Sequence, residues 1–206
     1  MVEDKEIVEG QLKLASDRVK SFLVPTEILS EPQARLIIGT YRVAIEPNFI
    51  QWMTQAYENA KSQKAKIALK KNIVDEISQD HPKMLRDFAQ DCGVVLSPLH
   101  YQRASQPSLD IWNLFTRRDS VMNLGIAAAL ENTSLVFIPY ITALGKKLRC
   151  SDFTYARVHG EADIEHARDL YDGLIEEMGQ SANPWNKVTT AFNKTTKFLE
   201  SILTPD

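Results

Sequence analysis

Apolar residues recur at three- and four-residue spacing through almost the whole of this 206-residue chain, and no run alternates apolar and polar positions between hairpin turns. Coiled at 3.6 residues per turn, such segments each carry one apolar stripe, and they can bury those stripes only by stacking helix on helix. The sequence therefore predicts an all-α bundle of seven or eight helices. Capping and breaking residues place them. A first helix runs from about Glu6 to Phe22 and stops at Pro25, and Ser30 caps a long second helix that kinks at Pro47 and carries on past Trp52. Helices follow over Ser62–Ser78 and Pro82–Cys92. Residues 94–106 read as loop, with Pro107 opening a helix through Phe115. Segments 120–146, 153–178 and 185–203 complete the bundle.

The length suits one domain spanning residues 1–206, and with eight Gly and nine Pro scattered along it the chain has no visible linker. Net charge is −3, from 24 basic and 27 acidic residues that are interspersed, so neither a nucleic acid nor an anionic membrane is an expected partner. Uninterrupted apolar stretches such as Leu135–Ala143 fall short of the ~20 residues that span a bilayer, and the polar N-terminus is no signal peptide. A cytoplasmic protein is expected, with a homodimer left open. Cys92 and Cys150 show no CxxC spacing and read as free thiols.

Chemistry enters near the C-terminus, at His159-Gly-Glu-Ala-Asp163-Ile-Glu-His166-Ala-Arg. Positions i, i+4 and i+7 leave a helix within roughly 60° of one another, so two imidazoles and a carboxylate share one face. That donor set suits iron, manganese or zinc, although a solvated polar face gives the same pattern. Two further acids interrupt apolar stripes, where burying a carboxylate is costly unless it is paired or bound to a cation. Glu131 falls among Leu124, Ala128, Leu135 and Ile138 and is the only acid between Ser120 and Lys146; a stripe-edge Glu reaching water is the alternative. Glu76 follows Leu69 and Ile73 and precedes His81, which could simply cap the helix opened by Pro82. Together, Glu76, His81, Glu131, His159, Asp163 and His166 form the inventory of a carboxylate-bridged dinuclear site in a bundle core.

Two segments carry a family resemblance. Asn72-Ile-Val-Asp-Glu76-Ile-Ser-Gln-Asp-His81-Pro-Lys-Met-Leu resembles the N-L-x-D-E … H-P-x-L segment of heme-oxygenase-like proteins, and the His159 segment resembles their H-x-E-A-D-x-x-H-A-R. The chain thus looks like a heme-oxygenase-like diiron oxidase of the CADD-like group, which shares its fold with TenA and PqqC. The resemblance spans about residues 30 to 200. It implies a heme-oxygenase-like helical bundle that binds two non-heme irons, with manganese or a mixed Fe/Mn pair as variants, and activates O2 to oxidise a small-molecule substrate. Carried over by position, the ligands are Glu76, His81, Glu131, His159, Asp163 and His166. The Glu76-to-His81 interval is two residues shorter than in CADD-like chains.

Two other classes fit the same sequence: a non-enzymatic partner-binding module with a structural or vestigial metal site, and a metal-free, TenA-like hydrolase. Cys92 could be the nucleophile of the latter, though it reads better as a buried thiol. His100 and Tyr101 read as structural and Trp52, Trp112 and Trp185 as core; Glu46, before Pro47, could stand behind the ligands but reads first as an ordinary helix acid. Glu161, Glu165 and Asp169 diverge from the ligand face.

Overall fold

The computed structural model describes residues 2–205, apart from the side chains of Val2, Glu3 and Glu161. Among the described residues there are nine helices and no strand: α1 (Val2–Phe22), α2 (Glu31–Ile45), α3 (Phe49–Asn59), α4 (Gln63–Ser78), α5 (His81–Asp91), α6 (Pro98–Phe115), α7 (Ser120–Lys147), α8 (Thr154–Met178) and α9 (Pro184–Leu203). The count exceeds the expected range because Pro47 breaks the second segment rather than kinking it. α2 ends at Ile45 and α3 begins at Phe49.

The bundle is organised around α7, which packs against α8 and α9 along its length and also touches α1, α2, α3 and α6. From Ser120 to Glu131 every residue of α7 is buried, so this half is enclosed on all sides and has no solvent face. The expected stripe is accordingly too simple, and Leu135, assigned to it, is 39% exposed. Among the described residues α7 is the one helix long and apolar enough to cross a membrane, yet most of it is buried within the bundle. Its apolar character is that of a central core helix.

Helices α2, α4, α5, α7 and α8 position the site, and local sequence explains how. Ser30 caps α2 through the amide of Gln33 in a capping box. Ser62 caps α4 through Ala65, assisted by the buried carboxylate of Glu177 in α8, which accepts from the amides of Lys61 and Ser62 at 2.8–3.1 Å. Asp119 caps α7 through Met122 and pairs with Lys187 at 2.8 Å. α4 and α8 pack closely at Gly173, where a β-carbon would lie 2.9 Å from the Ala65 Cα. On α4 the buried face is Leu69, Asn72 and Glu76, while Ile77 is exposed. Polar groups take the core-facing positions that the apolar pattern assigns elsewhere.

Two expectations are corrected. Residues 98–106 are helix, because Ser97 and Pro98 start α6 and His100 completes the capping box by accepting the Ser97 amide at 2.9 Å. Pro107 then lies inside α6. The cysteines are not free: Cys92 and Cys150 form a disulfide. Cys92 caps α5 and Cys150 follows α7, so the pairing comes from two helix ends meeting in space, which spacing alone does not encode.

Candidate metal centre

On α8 the directions of His159, Asp163 and His166 continue into Leu170 and Leu174, both fully buried. One helix face is therefore apolar in its second half and chemical in its first. Asp163 and His166 are buried at 2% and 3% exposure, although both are polar. α7 delivers Glu131 (3% exposed) to the same region, and α4 delivers Glu76 (3%). His81 (2%) arrives by a tight turn in which Asp80 adopts a left-handed conformation at φ 52° and caps α5. That turn absorbs the short interval: His81 Nδ1 lies 2.7 Å from Glu76 Oε1.

The six side chains converge as two triplets. Donor atoms of Glu76, His81 and His159 lie within 4.8 Å of one another, as do those of Glu131, Asp163 and His166. A contact across the triplets joins them, His159 Nδ1 lying 3.0 Å from Asp163 Oδ1. The His81 and His159 rings stand 4.6 Å apart.

The polar accounting of this cluster is incomplete in a specific way. Each imidazole has one nitrogen held by a carboxylate: His81 Nδ1 by Glu76, His159 Nδ1 by Asp163, and His166 Nε2 by Asp75 at 3.0 Å. The opposite nitrogens, His81 Nε2, His159 Nε2 and His166 Nδ1, are buried and have no hydrogen-bond partner. Buried polar atoms are almost always satisfied, and three bare imidazole nitrogens gathered in one cluster with three carboxylates are the donors a cation would need. Among the described residues, the ion-pair partners of Glu76, Glu131 and Asp163 are these imidazoles and not Lys or Arg. The residues present fit a metal.

The electrostatics agree. Burial, reinforced by Asp163 and Glu76, pushes the Glu131 carboxyl well above its ordinary range, against the opposing hydrogen bond from Asn72 Nδ2. Burial disfavours the charged His159, but its hydrogen bond to Asp163 and the charges of Asp163 and Glu76 outweigh that and raise its pKa. A cation in the same space would favour the ionised Glu131 and take the place of the proton on His159. Tyr41 and Tyr155 share a hydrogen bond at 2.7 Å, and the Tyr155 ring lies 4.4 Å from that of His159. Both phenols are driven upward, chiefly by burial.

Beside the triplets lies a narrow cavity walled by Ile45, Phe49, Leu85, Leu130, Phe137 and Ile138 as well as by the site residues. The centre of a water-sized sphere can range over about 40 Å³ of it, enough for a few waters or a slender organic group. Glu46 stands on its wall, held by Arg42 Nε at 2.7 Å and Arg86 Nε at 2.8 Å rather than by any of the six. Sequence reading missed Asn72, Asp75, Tyr41 and Tyr155. Asn72 and Asp75 could have been found from their i, i+3, i+4 relation with Glu76, which puts all three on adjoining faces of α4. Tyr41 and Tyr155 carry no such signal. Glu165 and Asp169 point away and pair with Lys71. His100 is buried as a cap, Trp52 is core, and Trp112 and Trp185 are partly buried against it. The disulfide removes Cys92 as a free nucleophile.

The comparisons with known proteins agree with the fold. Residues 40–196 match the family model described as "Iron-containing redox enzyme", and the chain belongs to that family. It is similar in structure to a CADD-like protein of unknown function from Nostoc punctiforme PCC 73102, with a TM-score of 0.76, 16% identity and 96% of each chain covered. The heme-oxygenase-like, CADD-like fold is thereby shown. No curated protein matches the sequence.

Proposed function

We propose that this chain is a non-heme diiron oxidase that uses O2 to oxidise a small organic molecule held in the cavity beside the two triplets. The observation that carries the reading is the set of three imidazoles, each with one nitrogen fixed by a carboxylate and the other buried and bare. Glu76, His81 and His159 would hold one ion, and Glu131, Asp163 and His166 the other. Two divalent ions carry +4 against three carboxylates, leaving one positive charge for an anionic ligand. Mixed nitrogen and oxygen donors suit iron, and manganese alone or with iron fits the same set. Bound as Fe(II), the pair would supply two electrons to O2.

The chain itself supplies the setting. Glu131 and Asp163 would neutralise bound ions, and their ion-pair partners among the described residues are imidazoles rather than Lys or Arg. Ile45, Phe49, Leu85 and Phe137 exclude water from the reacting space and select a slender apolar group. The Tyr41–Tyr155 pair offers an O–H donor beside His159.

Anaerobic loading with Fe(II) followed by metal analysis should give about two irons per chain, as the two triplets require. His166→Ala and Asp163→Ala should each lose at least one of them while circular dichroism stays helical, because Leu170 and Leu174 still anchor α8. A folded wild type that retains no iron would sink this reading and favour a partner-binding module.

A further inference from the structure

We propose that Asp75 is a positioning residue: its carboxylate holds His166 Nε2–H so that His166 Nδ1 presents its lone pair to the second ion, a role that rests on the diiron reading above. Three observations converge on it. His166 Nε2 lies 3.0 Å from Asp75 Oδ2. His166 Nδ1 is buried without a hydrogen-bond partner and lies 3.9 Å from Glu131 Oε1, so it is the nitrogen facing the triplet. The other two imidazoles are fixed by Glu76 and Asp163, which belong to the triplets themselves. Only His166 is fixed by a carboxylate outside them.

The physical consequence follows from imidazole chemistry. A neutral ring has one N–H, and a carboxylate at Nε2 keeps it there, leaving Nδ1 as the acceptor. It also fixes the ring plane and makes Nδ1 more basic toward a cation. Asp75 suits the task because its side chain is 31% exposed and stays solvated on one edge, whereas His166 is 3% exposed. Its neighbour Glu76 leaves α4 ~100° away and serves the first triplet. One Asp-Glu pair on one helix thus addresses both ions, the Glu as a ligand and the Asp through an imidazole.

The test uses Asp75→Ala and Asp75→Asn in the full chain, with two readouts. The first is histidine ring 15N NMR of the metal-free protein at about pH 9, where free imidazole is neutral, with the His166 signals assigned by His166→Ala. Wild type and Asp75→Asn should show the Nε2–H tautomer, since the Asn carbonyl accepts the same bond, and Asp75→Ala should show a mixture. The second is Fe(II) titration: Asp75→Ala should weaken one of the two sites by about 10- to 100-fold, and Asp75→Asn should recover most of it. An unchanged tautomer in Asp75→Ala overturns the proposal. So does an Asn variant that loses iron as fully as the Ala variant, because Asp75 would then be a direct ligand. A wild type that binds no iron, with tautomers as expected, overturns the diiron reading and leaves the Asp75–His166 relation standing.

Discussion

At Glu131 the metal-free chain holds a carboxyl that burial, Asp163 and Glu76 all press toward the neutral form. Its folded pKa is raised above the unfolded value, so the stability it contributes is present below the unfolded pKa of ~4.3 and is lost as pH rises through the folded one. Glu131→Gln keeps the Asn72 hydrogen bond without a group to ionise. In chelator-treated protein the Gln variant should therefore gain on wild type in paired urea titrations, by about 1.4 kcal/mol for each pH unit climbed between the unfolded and the folded pKa. Parallel pH profiles would contradict it. In iron-loaded protein the order should reverse, since the Gln variant lacks the charge that holds the ion. At this scale the convergence of six side chains was legible because acids and imidazoles on buried helix faces are expensive and so stand out. Asp75 lies on a helix face adjoining those of Asn72 and Glu76 but is passed over, because a partly exposed acid beside a candidate ligand looks like ordinary surface until His166 is seen against it.

Helices were legible where capping residues and breakers agreed with the periodicity, as at Ser30 and Ser62. They were misread where one Pro outweighed a start signal: Ser97-Pro98 opens α6, and Pro107 is carried inside it. The stripe on α7 misled for a different reason, since a helix enclosed on all sides has no single apolar face to read. Glu177 belongs to neither pattern. It lies in α8, fully buried, and caps the start of α4 by accepting from Lys61 and Ser62. Glu177→Ala leaves the buried Ser62 amide unpaired, which costs about 1–3 kcal/mol, while the Lys61 amide lies nearer solvent. The variant should lose about 1–3 kcal/mol in denaturant unfolding and yet take up iron as wild type does, because Asn72, Asp75 and Glu76 lie more than two turns further along α4. A loss of iron without a loss of stability would reassign Glu177 to the site.

Over the whole molecule, the sequence announces a helical bundle but not how its ends are tied. The Cys92–Cys150 disulfide joins the end of α5, whose first residue is His81, to the segment that leads into α8 and its triplet. Asp91 reinforces the same junction: its carboxylate accepts from the Asp152 amide at 2.9 Å and from Ser151, which lowers its pKa. Two ligand-bearing helices are thus moored at one corner, and Phe88 packs into the space left by Gly145 there, where a β-carbon would come within 2.9 Å of its ring. The bond closes a separation of 58 residues, which in the chain-entropy account is worth about 4 kcal/mol against the unfolded state. Two measurements check it. Thiol counting in denaturant without reductant should find no free thiol, and Cys150→Ser should lower the unfolding free energy by a few kcal/mol, as wild type does on reduction. Because the bundle core around α7 is untouched, the Ser variant should remain helical and keep both triplets. Stability equal to wild type, or two titratable thiols, would remove the tether from this account and make packing at Phe88 and the Asp91 contacts the whole of what holds α5 to α8.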